Sequence, residues 1–367
     1  MLTWSVAVLP CIAAGITLIN LVTWPRGRVG STSDRAALGR VSAIVPARNE
    51  EATIADCVRA LAAAGVDQIV VWDDASTDRT PEVLRALVDE LKLCFAGTFT
   101  VGRGTGLPAG WVGKPHACER GAGLADGDLL LFVDADVRVA PDLLSRLADL
   151  HRGVDLVTAV PRQETGSFLE HHVLPLLHLT YVSWLPLALI PLLRDPRILA
   201  ANGQLLSIRR SAWSRVGGFA AVRTAVVDDM AFCARAKAVG VRVRFADGFL
   251  LARCRMYTSG DEVWRGFSKN LYAGIGASPF ALAGVLALYA STFVLPWLLL
   301  PLGPPAWLAV GANLIQRAVL VARFRHRPET IPLHLVGFGP FFGIALNSWR
   351  WHARKRIEWR GRSYAGG

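Results

Sequence analysis

Two hydrophobic patterns occur along the chain, and the first predicts an α/β domain. Between residues 41 and 161, short apolar runs typical of buried strands alternate with segments whose apolar positions recur at helical spacing. Strands are predicted at 41–47, 68–76, 93–101, 128–133 and 155–161. Helices are predicted at 50–65, 77–91 and 116–126 and after Pro141, with a loop at 102–115. This alternation indicates a mostly parallel sheet flanked by helices.

The second pattern consists of long apolar runs and predicts membrane helices near both termini. Residues 4–24 carry no charge and are long enough to cross a bilayer. A cleaved signal peptide would carry basic residues before this run, whereas here arginines follow it. We therefore expect a retained anchor at 1–25 and a linker at 26–40. The positive-inside rule then places the following domain in the cytoplasm of a multi-pass cell-membrane protein.

Apolar runs also dominate the C-terminal part of the chain. The runs 280–303 and 304–324 are long enough to span, and Arg317 is expected to reach the interface from the second run. The run 331–349 is broken by glycines and a proline. A third straight span there would place the basic tail, 350–367, outside, so we predict a re-entrant hairpin instead.

Two further segments are predicted to lie at the membrane surface. The run 173–193 is long enough to span but holds three prolines, and a single crossing would separate the two parts of the α/β region. It is therefore expected to form an interfacial insertion, 165–198, within a catalytic domain that covers 41–258. An interfacial amphipathic segment at 259–279 would then lead to membrane helices at 280–349.

Composition and charge agree with a membrane-associated protein. Of the 367 residues, 52% are hydrophobic, and the formal net charge is +11. The arginines flank the apolar runs, which favours an anionic lipid surface over nucleic acid as the partner. The six cysteines show no zinc or disulfide spacing, which predicts free thiols in a reducing compartment.

Acidic and polar residues follow three predicted strands, at 47–50, at Asp73 and Asp74, and at Asp134 and Asp136. Ligands of parallel α/β sheets bind beyond these carboxyl ends. Asp134 and Asp136 point the same way, so their charges repel unless a cation lies between them or both are solvated. Mg²⁺ and Mn²⁺ take carboxylate and phosphate oxygens, which makes either ion a candidate ligand.

Five segments, in this order, resemble an inverting glycosyltransferase of family 2, which has the GT-A fold of nucleotide-diphospho-sugar transferases. They are VSAIVPARNEE (41–51), QIVVWDDASTDRTPEVL (68–84), LLLFVDADV (129–137), ANGQLLSIRRSAWSRVGGF (201–219) and AVVDDMAFCARAKAVG (225–240). The resemblance implies that the donor's base and ribose are held by Pro46, Arg48, Glu50, Asp73 and Asp74. It also implies that Asp134 and Asp136 hold the metal ion and the diphosphate. Asp136 is the stronger metal candidate, and a ribose contact is the alternative for Asp134.

The catalytic base of this family is the Asp of an acidic pair that lies about eleven residues before a helix-ending glycine. Asp228, Asp229 and Gly240 match this arrangement, with Asp229 in register as the base. The acceptor hydroxyl must lose a proton as it attacks the anomeric carbon, and a carboxylate can take that proton. The alternative is that the pair caps a helix N-terminus.

The loop LPAGWVGKPHACERGA (107–122) resembles bacterial transferases that act on carotenoid acids and hopanoid-associated lipids. By this resemblance Lys114 meets the diphosphate; the alternative is a solvated loop lysine. Asn202, Gly203 and Gln204 resemble the family's segment that faces the donor sugar and the acceptor.

The segment SGDEVWRGFSKNLYAG (259–274) departs from the family's pattern. Processive members and ceramide glucosyltransferases carry a Q/R-x-x-R-W sequence there. Arg265 and Lys269 lie four residues apart and so share a helix face, where they would clamp the diphosphate or dock on anionic lipid. The departure, together with the few spans, argues against a processive polysaccharide synthase.

These features predict a metal-dependent hexosyltransferase that moves one sugar from a nucleotide-diphospho-sugar, with UDP expected, to a lipid acceptor. The expected acceptor is a carotenoid acid or another isoprenoid or hopanoid lipid. One alternative is a polyprenyl-phosphate sugar transferase, and another is a non-catalytic lipid-binding membrane partner. A Rossmann dehydrogenase is excluded, because the first strand–helix turn reads PARNEE rather than G-x-G-x-x-G.

Overall fold

The computed structural model describes residues 4–30, 35–354, 357–359 and 362–364. Parts of the predicted anchor, linker and basic tail therefore lie outside the described residues. The chain divides into two compact units. The helical unit consists of Met1–Thr23, Thr165–Leu187 and Tyr257–Gly367, and the sheet unit consists of Trp24–Glu164 and Ala188–Met256.

The sheet unit contains a mixed, mostly parallel sheet of eight strands. In chain order the strands are β1 (Val41–Ala47), β2 (Gln68–Asp73), β3 (Thr98–Arg103), β4 (Leu129–Val133), β5 (Val137–Val139), β6 (Leu156–Gln163), β7 (Leu205–Arg209) and β8 (Val243–Cys254). Their spatial order is β3-β2-β1-β4-β7-β6-β8-β5. Strands β3, β2, β1 and β4 run parallel, whereas β7 is antiparallel to both of its neighbours. The predicted α/β class is confirmed.

Helices cover the sheet and form the helical unit. In chain order they are α1 (Ser5–Thr23), α2 (Ile54–Ala63), α3 (Thr80–Cys94), α4 (Gly113–Leu124), α5 (Leu143–Leu150), α6 (Phe168–Ser183), α7 (Arg210–Val216), α8 (Asp228–Ala238), α9 (Gly260–Gly274), α10 (Pro279–Leu298), α11 (Pro304–Phe324) and α12 (Phe338–Ala353). A further short hairpin pairs β9 (Ile357–Trp359) with β10 (Arg362–Tyr364).

The core of the sheet unit explains why its strands read as continuous apolar runs. Residues of β1, β2 and β4, such as Val45, Val71 and Leu131, are fully buried because helices cover both faces of a parallel sheet. Two predicted boundaries were wrong. The third strand begins at Thr98 rather than residue 93, because α3 continues to Cys94. Helix α4 begins at Gly113, inside the predicted loop.

Three helices of the described part, α1, α10 and α11, are long and apolar enough to cross a membrane. They coincide with three predicted spans. Helix α10 contains a π-helical turn at Ala290–Val294. The run predicted as a hairpin contains a 3₁₀ turn at His334–Gly337, directly before α12.

The side chain of Arg317 does not reach the surface of the helical unit, contrary to the prediction that it extends to the interface. It is only 1% exposed. The physical reason is its position on α11. Asn313 and Leu320, four residues before and three after, are also buried, so Arg317 lies on the packed face of the helix.

Candidate active site

Hydrogen bonds fix the turn that follows β2. Nη1 of Arg48, just after β1, donates to the carbonyl oxygens of Asp74 at 2.6 Å and Ala75 at 2.7 Å. Oδ1 of Asp73 accepts from the amide of Ser76 at 2.9 Å. Ala75 has a φ of 57°, a left-handed conformation that is costly for alanine. Arg48 therefore stabilises the backbone that carries the two aspartates.

Asp73 and Asp74 are both 1% exposed, and each lies near a basic side chain. Nε of Arg103 is 3.6 Å from Oδ2 of Asp73, and Nδ1 of His116 is 3.5 Å from Oδ1 of Asp74. Buried carboxylates need such partners. Sequence reasoning left the role of His116 open and missed Arg103, since one basic residue at a strand end carries no recognisable signal.

Pro46 and Glu50 flank the same strand end. Pro46 is aligned with Trp72 of β2 in the parallel register. The backbone amide of Glu50 donates to the hydroxyl of Thr80 at 2.8 Å, and Oε2 of Glu50 accepts from the hydroxyl of Thr53 at 2.9 Å. The five residues predicted to hold the base and ribose therefore lie around the carboxyl ends of β1 and β2.

Lys114 forms an ion pair with Asp134. Its Nζ lies 2.6 Å from Oδ1 and 2.8 Å from Oδ2 of Asp134, and it donates to the carbonyl oxygen of Gly203 at 3.3 Å. Burial alone would lower the pKa of Lys114, but the carboxylates of Asp134 and Asp228 outweigh it and raise that pKa well above its ordinary value. Lys114 stands in the first turn of α4, so it is not a solvated loop lysine.

Gly203 connects this ion pair with Asp229. A Cβ atom added to Gly203 would lie 3.1 Å from Cβ of Asp229 and 3.2 Å from Nζ of Lys114. Asp229 stands in the first turn of α8, where Oδ1 accepts from the amide of Met230 at 2.8 Å. The N-cap residue of this helix is Val227, so neither aspartate is the cap of the alternative interpretation, while both lie in the first turn. Lys114, Asp134 and Asp229 therefore meet around one glycine.

A polar network links Gln204 to Asp136. Nε2 of Gln204 donates to Sγ of Cys254 at 3.0 Å, and Oε1 of Gln204 accepts from Nε2 of Gln163 at 2.9 Å. Burial and the nearby carboxylates, first of them Asp136, which also hydrogen-bonds the thiol, raise the pKa of Cys254 well above its ordinary value. Sequence reasoning missed Cys254 and Gln163, because only the pairing of β5 with β8 brings Cys254 beside the residues after β4.

The carboxylates after β4 fit a divalent cation. In the part of the chain that the structure describes, no three His, Cys, Asp or Glu side chains cluster as a metal site. Mg²⁺ and Mn²⁺ do not require such a cluster, since one or two carboxylates suffice when phosphate oxygens and water complete the shell. Asp136 offers such a carboxylate, and Asp134, two positions before it, would share its two oxygens between the ion and the ammonium group of Lys114.

Arg265 and Lys269 belong to the helical unit, unlike the other predicted site residues. Both lie on α9, and Nη2 of Arg265 is 3.6 Å from Oδ2 of Asp261. The side chain of Arg265 is 73% exposed. Arg265 and Lys269 therefore do not belong to the group of site residues that the sheet unit brings together. Their contact with a diphosphate stays a prediction.

Comparison with known proteins identifies a domain of a known family. Residues 42–216 match the family described as Glycosyl transferase family 2. The chain is 26% identical over 340 residues to a 4,4'-diaponeurosporenoate glycosyltransferase of Staphylococcus aureus strain MRSA252, covering 88% of this chain and 87% of that protein. The corresponding protein of strain USA300 is also 26% identical, over 341 residues, with the same coverage.

Among solved structures, the chain is similar to mannosyltransferase PcManGT from Pyrobaculum calidifontis, determined in complex with GDP-Man and Mn²⁺. The TM-score is 0.58 at 20% sequence identity, with 95% of this chain and 99% of that chain covered. This similarity establishes the fold. Residues 42–216 therefore form a family 2 glycosyltransferase domain, the fold is GT-A, and the chain is a glycosyltransferase that uses a nucleotide-sugar donor.

Proposed function

We propose that the protein transfers one sugar, with inversion, from a UDP-sugar to a lipid acceptor, which is a carotenoid acid or another isoprenoid or hopanoid lipid. The observation that carries this proposal is the meeting of Lys114, Asp134 and Asp229 around Gly203. A cation beside the expected diphosphate and a carboxylate beside the expected acceptor are what direct displacement requires. The similarity to the diaponeurosporenoate glycosyltransferase and the three apolar helices support a lipid acceptor.

Each residue of the site has a separate task in this proposal. Asp229 takes the proton from the acceptor as its oxygen attacks the anomeric carbon. A carboxylic acid in apolar surroundings retains its proton because burial raises its pKa, so a carboxyl acceptor presents a proton as a hydroxyl does. Lys114 stabilises negative charge on the diphosphate. A Mg²⁺ or Mn²⁺ ion held by Asp136 and Asp134 would act as a Lewis acid on the leaving group.

The proposed organisation follows from these tasks. The catalytic domain covers 41–258 and faces the cytoplasm, where nucleotide sugars are available. The anchor at 1–25 and the helices at 280–349 cross or enter the membrane, and the insertion at 165–198 lies at its surface. An anionic lipid surface would attract the arginines that flank the apolar segments.

A transfer assay with a labelled donor tests the proposal. The full-length protein in membranes is incubated with a UDP-sugar or a GDP-sugar and with a lipid extract of cells that express it. We expect label from the UDP-sugar in an organic-phase product that survives mild acid. A product cleaved by mild acid would instead indicate a polyprenyl-phosphate acceptor. Label that stays entirely in water-soluble species would contradict lipid glycosylation.

A further inference from the structure

A guanidinium group is buried inside the helical unit and has no hydrogen-bond partner among the described residues. Arg317 is 1% exposed, and its Nε, Nη1 and Nη2 form no hydrogen bond to any residue that the structure describes. It lies on α11, seven residues before Phe324, which is about 10 Å from that end of the helix. An isolated charge in a medium of low dielectric constant is strongly disfavoured, so this group requires an anionic partner.

The acidic side chains that the structure describes in the helical unit do not supply that partner. Glu170 accepts from the amides of Gly166 and Ser167, and Glu262 accepts from Thr258. Asp261 pairs with Arg265, and Glu329 pairs with Arg327. Among the described residues, no carboxylate pairs with Arg317.

Other buried polar groups of the helical unit also lack a hydrogen-bond partner among the described residues. Nε2 of His334 is 3.2 Å from the carbonyl oxygen of Phe293, and its ring stacks on Trp297 at 5.4 Å. Nδ1 of His334 and Nε1 of Trp297 have no hydrogen-bond partner in the described part of the chain.

Helix α10 contains a break in its regular geometry. The π-helical turn of α10 releases backbone carbonyls from the regular ladder, and such turns occur frequently at functional sites. The carbonyl of Thr292 accepts from Nδ2 of Asn313 at 3.1 Å, and Asn313 lies one turn before Arg317 on α11. Asn313 therefore links the π-helical turn of α10 to the buried face of α11 that also carries Arg317.

We propose that Arg317 binds the anionic oxygen group, a carboxylate or a phosphate, of a membrane amphiphile. The planar guanidinium matches either group through two parallel N–H···O bonds. An amphiphile is the favoured source because α11 is one of the helices able to cross a membrane. Arg323, Arg325 and Arg327 follow at the same end of α11, where they attract anionic headgroups. This site belongs to the helical unit and does not rest on the proposed acceptor.

Thermal unfolding of the full-length protein in a neutral detergent tests the site. The additions are phosphatidylglycerol, a long-chain fatty acid, phosphatidylcholine, inorganic phosphate and acetate. The wild type is compared with Arg317→Met and with the control Arg350→Met, which removes an exposed arginine of α12. We expect the two anionic amphiphiles to raise the Tm of the wild type and of the control by about 3 °C or more. Arg317→Met should fold, since an apolar side chain of similar length replaces an unpaired buried charge, and should lose this shift.

Several outcomes would overturn the proposal. One is a Tm of Arg317→Met that rises as much as that of the wild type. The others are a wild-type Tm that neither anionic amphiphile raises and a wild-type Tm that phosphatidylcholine raises equally. An equal shift with inorganic phosphate or acetate would overturn the lipid source. Native mass spectrometry of the wild type provides a measurement that does not depend on the variant's folding. Retained adducts should have the masses of anionic lipids, and adducts of neutral lipids alone would contradict the site.

Discussion

Nζ of Lys114 lies 2.6 Å from Oδ1 of Asp134, which joins the first turn of α4 to the end of β4. The two side chains are 22% and 25% exposed, so the pair is partly buried and solvent screens it only in part. Its importance is electrostatic, because the ammonium group of Lys114 keeps a positive charge where a diphosphate is expected.

Lys114→Met removes this charge and leaves Asp134 without its ammonium partner. We expect the KM for the nucleotide sugar to rise and kcat to fall, with kcat/KM lowered by about tenfold to a hundredfold. The melting temperature should change little. Steady-state kinetics with a soluble donor titration measures both parameters.

Lys114→Arg keeps the charge and serves as the control for this prediction, with most of the donor affinity retained.

The pH dependence of donor binding gives a second check. Since the pKa of Lys114 is raised above its ordinary 10.5, the charge is fully present below that value and is lost only above it. Donor affinity in the wild type should therefore show no decline assignable to Lys114 between about pH 7 and pH 10. Donor binding that weakens through this range in the wild type but not in Lys114→Arg would contradict the assignment.

Gly203→Ala tests the close approach of Lys114 and Asp229. The new methyl group would lie 3.1 Å from Cβ of Asp229 and 3.2 Å from Nζ of Lys114, so one of them must move. We expect kcat to fall by about tenfold to a hundredfold, because small displacements of reacting groups are costly. Gly123→Ala is the matched control, since a Cβ there meets no atom within 4 Å. Equal activity of the two variants would contradict the described contact.

Cys254→Ala tests the network between Gln204 and Asp136. Removing the thiol takes away a hydrogen-bond partner of Gln204 and a neighbour of the proposed metal ligand. The concentration of Mn²⁺ needed for half-maximal activity should rise by about tenfold, as for other outer-shell partners of metal ligands. Cys254→Ser should stay near the wild type because it restores a polar partner. The exposed Cys94 provides the control, Cys94→Ala.

Chelation and Asp136→Ala test the metal directly. Excess chelator should abolish transfer, and added Mg²⁺ or Mn²⁺ should restore it. Asp136→Ala should weaken donor binding in the presence of the metal, because a carboxylate that holds the ion and hence the diphosphate is lost. Calorimetry of UDP binding with and without metal separates the two effects. Full transfer in excess chelator would refute the metal's role.

Local patterns were sufficient to predict much of the sheet unit. β1 forms over the predicted residues, since a buried parallel strand is a continuous apolar run ended by a polar turn. Boundaries that depend on how far a helix extends were missed. Helix α3 runs on to Cys94 and delays β3, and α4 starts early enough to make Lys114 a first-turn residue.

Contacts between distant segments could not be predicted from the sequence. The motif pattern indicated Lys114, Asp134 and Asp229 separately, but their meeting at Gly203 depends on how β4, β7 and α8 pack. Cys254 belongs to no motif and enters the site through strand pairing alone. The burial of Arg317 was missed because hydropathy does not reveal which face of a helix contacts its neighbours.

The most direct test of the account compares Asp229→Asn with the wild type in two measurements on the same preparation. The substitution preserves shape and removes the carboxylate that takes the acceptor's proton. We expect that sugar transfer to lipid is lost, while the dissociation constant for the nucleotide sugar, measured by calorimetry, stays within about threefold of the wild type. Wild-type turnover in Asp229→Asn would contradict the account.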